Sequence, residues 1–147
     1  MTGAAESDAH AGPLPAPGGP DAPFWEAARR GELRVQRCLD CGAHRFPAGR
    51  WCPAWRGGRS EWARVSGRGT VESFCVCHKP YFPGLPVPYN VAVVRLAEGA
   101  RLFSNVVGVP PDGRIAVGMA VEVTFDAVTP EVTLVRFRPA ATDGGGP

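Results

Sequence analysis

The sequence predicts a mainly β protein, with a short N-terminal helix and a cysteine-bearing, ribbon-like segment ahead of a small barrel or sandwich. Three observations carry this. DAPFWEAARRG, 21–31, is the one stretch with a helical apolar face. CLDCGAHRFPAGRWC, 38–52, spaces three cysteines like the knuckles of a zinc ribbon. From residue 61 onward, short apolar-alternating segments recur between Gly-rich corners.

The helix is justified first. Asp21 can cap it, Pro23 suits its first turn, and Arg29 and Arg30 sit at the negative end of the dipole. Gly31 can close it with positive φ. Phe24, Ala27 and Ala28 share one face, and Trp25 lies beside it. Docking of the helix on the domain is the favoured role for Phe24. Trp25 is a candidate contact for a partner. Upstream, 1–20 is Ala, Gly and Pro with almost no large apolar side chain, and 140–147 reads the same way. Such segments bury too little to offset their chain entropy, so both are expected to be disordered arms.

Residues 32–38 form a strand leading into the cysteines. The β segments then follow at 61–65, 69–78, 89–96, 101–108, 119–126 and 132–138. AVEVTFD is the clearest: Val121, Val123 and Phe125 face one way, Glu122, Thr124 and Asp126 the other. EGAR and GVPPDGRIAVG supply turns. Five or six short strands with such corners suit a small closed barrel or a sandwich. The folded part is expected to divide into 21–65, helix plus ribbon, and 66–139, the β domain.

A structural zinc site takes four ligands in a tetrahedron, and two C-x2-C knuckles supply them. Here Cys38 and Cys41 make one complete knuckle, and Gly42 fits its crowded backbone. Cys52 begins a second, but Trp55 stands where the fourth cysteine belongs. Three readings compete. Zinc binds through Cys38, Cys41 and Cys52, with His44, water or another donor fourth; a histidine so close to Cys41 makes a strained ligand. Or the site is degenerate, with Trp55 filling the volume. Or the cysteines are unrelated core residues, the weakest of the three. The sequence leans slightly toward zinc lost or weakly held. Cys75 and Cys77 lie two apart in a strand and so share a face. C-x-C there is a poor chelate, and the reading is small buried hydrophobes.

Net charge is +2, from 16 basic and 14 acidic residues, which argues against a nucleic-acid binder with a clustered basic face. No apolar run approaches a membrane span and no signal-like N-terminus is seen, so a cytoplasmic protein with reduced thiols is expected. Cys77 and His78 are adjacent in a strand and face opposite ways. No P-loop, G-x-S-x-G or H-E-x-x-H occurs, so an independent enzyme is not expected. The loop HKPYFPGLPVPY, 78–89, carries four prolines, three aromatics and the only lysine. Lys79 can meet a phosphate or carboxylate, and Tyr81 and Phe82 can anchor a partner or plug the barrel.

FWEAARRGELRVQRCLDCGAHRFPAGRWCPAW, SGRGTVESFCVCHKPYF, VPYNVAVVRLAEGARLFSNVVG and VGMAVEVTFD together resemble the DUF35 family. The resemblance covers nearly all of 23–139. It implies a rubredoxin-like ribbon followed by a five-stranded OB-fold over roughly 66–139. Its metal positions fall on Cys38, Cys41 and Cys52, with Trp55 departing from the pattern. It further implies a non-catalytic accessory subunit of a thiolase-like acyltransferase or condensing enzyme acting on acyl-CoA, in a hetero-oligomer. Partnership with a MaoC-like hydratase or an aldolase, or a stand-alone acyl-CoA-binding module, are the alternatives. A single-stranded nucleic-acid-binding OB protein ranks below them. Zinc and a CoA thioester are the implied ligands.

Overall fold

A computed structural model describes residues 14–52, 58–80, 83–84, 86–110 and 115–140. A 3-10 turn at Gly19–Asp21 leads into α1, Ala22–Arg29. None of the three residues of that turn is buried. The Asp21 side chain makes no capping bond; its Oδ2 accepts the Trp25 Nε1–H at 3.3 Å. At the other end the expectation holds. Gly31 takes φ +77, its N–H donates to Ala28 O, and the Glu32 N–H reaches back to Ala27 O, which closes the helix in a Schellman arrangement. Phe24, Ala27 and Ala28 are buried, as their spacing predicts.

The ribbon is a three-stranded antiparallel sheet. Its strands are β1, Arg34–Cys38; β2, His44–Arg45; and β3, Ser60–Arg64, in the order β2-β1-β3. Five further strands follow: β4, Arg68–Cys77; β5, Tyr89–Leu96; β6, Arg101–Ser104; β7, Ala120–Ala127; and β8, Thr133–Pro139. They form one antiparallel sheet, β6-β5-β4-β7-β8. The segment expected as a strand over 101–108 is paired only to Ser104. Beyond it Val106 makes a parallel bridge to Phe137 of β8, with Val107 N–H donating to Phe137 O and Phe137 N–H to Asn105 O. That bridge curls the sheet toward closure, the OB arrangement.

Asn90 holds the closure. It is buried on β5; its Nδ2 donates to Val106 O at 2.9 Å and its Oδ1 accepts the Val106 N–H at 2.8 Å. Asn105 Nδ2 donates to Asn90 O, and Arg136 Nη1 donates to Asn105 Oδ1 at 2.8 Å. One apolar cluster runs through the whole molecule: Phe24 from α1, Leu33 and Val35 at the ribbon base, and Val71, Val94, Val121 and Phe137 in the barrel. Ribbon and barrel thus share a core, with Phe24 lying 4.6 Å from the Phe46 ring of the ribbon.

On β7 the alternation is realised. Val121 is buried and Val123 and Phe125 pack against the core, while Glu122 and Asp126 pair outward with Arg138 and Arg136 of β8. On β4 it is broken. The register with β5 shifts between Val71 and Ser73, so Glu72 is an inserted bulge residue. Val71 faces the core before it and Phe74 after it. Cys75 and Cys77 therefore fall on the outer side: Cys75 is exposed and Cys77 half-buried. The reading of both as buried hydrophobes is corrected, because the bulge reverses the face that each later residue takes.

Candidate metal centre

β1 runs straight into the first knuckle. Cys38, its last residue, is buried, and its N–H donates to Ala43 O at 2.9 Å. The Gly42 N–H donates to Cys38 O at 2.9 Å, and Gly42 takes φ +78, which a residue with a Cβ adopts only under strain. The turn brings the Cys41 N–H to 3.5 Å from the Cys38 sulfur, as a metal knuckle requires. Cys52 arrives from the far side, buried, with its sulfur 3.6 Å from that of Cys41.

All three sulfurs lie within 4.8 Å of one another. A tetrahedral zinc with bonds of about 2.3 Å sets its sulfurs about 3.8 Å apart, so the cluster fits such an ion. The three cysteines form no disulfide with one another. Ionising them side by side is electrostatically unfavourable without a cation. The Ala43 backbone favours the Cys41 thiolate, but hydrogen bonds with the Cys52 and Cys38 thiols, lost hydration and the charge of Cys38 outweigh it and push the Cys41 thiol up. A bound cation reverses that balance.

The loop that delivers Cys52 is fixed by groups that the sequence reading passed over. Gln36 Oε1 accepts from Gly49 N–H at 2.8 Å and from Arg45 Nε at 3.0 Å, and Arg45 Nη2 donates to Gly49 O at 3.0 Å. Asp40, inside the knuckle, pairs with Arg59, whose hydrogen bond holds the Asp40 carboxyl below the usual carboxylate range. Leu39 N–H donates to Arg59 O at 3.1 Å. Supports of this kind orient ligands around a metal. Gln36 stands at a polar position of the strand's alternation, two residues after Arg34, so the sequence pattern does not mark it.

The other predicted residues divide. His44 lies on β2 opposite Arg37 and stands outside the thiol cluster. Trp25 is half-buried, edge-on to Phe24 with centroids 4.9 Å apart, and tied to Asp21. Lys79 is exposed just beyond β4. Trp55, Tyr81 and Phe82 lie outside the described residues. Among the described residues, no helix is long and apolar enough to cross a membrane.

A three-thiol ribbon packed through a shared core onto an OB barrel defines a class of small two-part β proteins. Family models assign its parts: the rubredoxin-like zinc ribbon domain of ChsH2 matches residues 25–57, and the C-terminal OB-fold domain of ChsH2 matches 62–126. A DUF35 domain-containing scaffold protein of Methanothermobacter thermautotrophicus is 38% identical over 70% of this chain and 78% of its own length. The chain belongs to the DUF35 family.

A probable enoyl-CoA hydratase alpha subunit of Thermomonospora curvata is 44% identical over 82% of the chain. The 3-oxo-4,17-pregnadiene-20-carboxyl-CoA hydratase alpha subunit of Mycobacterium tuberculosis is 41% identical over 69%. The chain spans only 38% and 32% of these two proteins. A solved chain titled Ltp2-ChsH2(DUF35) aldolase is 40% identical, with TM-score 0.76 over 86% of this chain and 99% of that one.

Proposed function

We propose that this chain is a non-catalytic accessory subunit that docks onto an acyl-CoA-processing enzyme of thiolase-like type, an aldolase first among them. The observation that carries the reading is the likeness, over 99% of its length, to the DUF35 chain of an aldolase assembly. The scaffold naming of the archaeal relatives supports a subunit without chemistry of its own. Zinc, held by Cys38, Cys41 and Cys52 with a fourth position left to water or an outside donor, serves as a brace for the ribbon. Trp25, Lys79, Tyr81 and Phe82 are the residues assigned to contact with the partner or with the CoA portion of its substrate.

The test is purification of the tagged chain from its native lysate, with co-purifying proteins identified and zinc measured in the same eluate. A stoichiometric acyl-CoA enzyme whose aldol cleavage or acyl transfer falls when the chain is removed supports the reading. A chain that elutes alone, beside a neighbouring enzyme that is fully active without it, overturns it. A second reading, partnership with a hydratase, is favoured by the two hydratase alpha subunits. It predicts that hydration of an enoyl-CoA is the activity lost.

A further inference from the structure

The bulge on β4 leaves a second thiol pair unused by the ribbon. Cys75 and Cys77 share the outer face of β4, opposite Val91 and Tyr89 of β5. Both thiols are free, and Cys75 is exposed. Same-face residues of a strand have Cα atoms roughly 6.7 Å apart with near-parallel Cβ bonds. A disulfide draws its Cβ atoms to about 3.8 Å, so the strand opposes one. The same spacing lets two sulfurs converge on an ion between them.

We infer that Cys75 and Cys77 form a two-thiolate site for a soft, two-coordinate cation of the copper(I) class, separate from the ribbon. Coordination number makes the selection. Among the described residues, the only group of three or more metal-ligating side chains is the ribbon cluster. Zinc, which takes four ligands in structural sites, is poorly served here. Thiolate softness favours copper(I), which two sulfurs satisfy. Lost hydration, and the hydrogen bond and charge of Cys77, push the Cys75 thiol up against the pull of the Val91 backbone, so an ion binds here only by displacing the thiol protons.

The experiment uses the reduced, zinc-supplied full chain, titrated without oxygen against copper(I) buffered by bicinchoninate. Copper and zinc per chain are counted after desalting. The native chain is expected to retain one copper more than the Cys75→Ser/Cys77→Ser variant, with equal zinc in both. Cys77→Ser alone is expected to lose that copper too, since one exposed thiolate is no chelate. Equal copper in the native chain and the double variant overturns the site. So does a copper gain matched by zinc loss, which places the ion in the ribbon.

Discussion

Replacing Asn90 by Ala tests whether one amide closes the barrel. The substitution removes both bonds to Val106, at 2.9 and 2.8 Å, and leaves the Val106 carbonyl and N–H without those partners. Val106 is 2% exposed, so water does not reach its backbone in the folded chain. Each buried group left unmet costs about 1–3 kcal/mol. The pair therefore sums to about 2–6 kcal/mol, a large part of a domain's total of about 5–15 kcal/mol. At a urea slope of about 2 kcal/mol/M, the midpoint should fall by about 1–3 M at unchanged slope. Asn90→Asp keeps an acceptor for the Val106 N–H but turns a second oxygen on the Val106 carbonyl. It should be as damaging at neutral pH and regain stability on acidification, as the folded state takes up the proton first. A loss below about 0.5 kcal/mol, the range of neutral surface changes, would refute the argument that this amide is irreplaceable in the closure.

Other outcomes follow from particular sites. Gly67 has φ +83, and a Cβ there would run into Val123, so Gly67→Ala should cost at least about 1–3 kcal/mol by the same urea measurement. Cys52→Ser should strip the zinc while His44→Ala keeps it, since only Cys52 belongs to the cluster; elemental analysis of the purified variants reads both. Glu32 is held below its ordinary 4.5, first by a hydrogen bond from Arg34 and also by the charges of Arg34, Arg64 and Arg30. A depressed carboxyl adds stability that is present above its unfolded value and lost as pH falls through the folded one. Glu32→Gln should therefore flatten part of the acid-side loss of stability, and a side-chain NMR titration with a midpoint at or above 4.5 would contradict the assignment.

Much of this molecule is written locally. The i, i+3, i+4 spacing of Phe24, Ala27 and Ala28 and the glycine at 31 fix a helix, its buried face and its end. The spacing of Cys38 and Cys41 before Gly42 fixes a knuckle, because the turn is short and its backbone demands are met by the residues in it. The alternation of Val121, Val123 and Phe125 fixes the inner face of β7. None of these needs a distant residue to be recognised.

What lay beyond the sequence depends on pairing between segments far apart in the chain. Gln36 meets Gly49, and Asn90 meets Val106, only once strands and loops are assembled, so neither polar residue shows its role beforehand. The face of Cys75 and Cys77 is the sharpest case. By itself the sequence determined that they share one side of a strand. Which side was decided by the register of β4 against β5, where one extra residue at Glu72 turns everything after it over. A strand's side chains alternate with a period of two, so a single inserted residue exchanges core for surface.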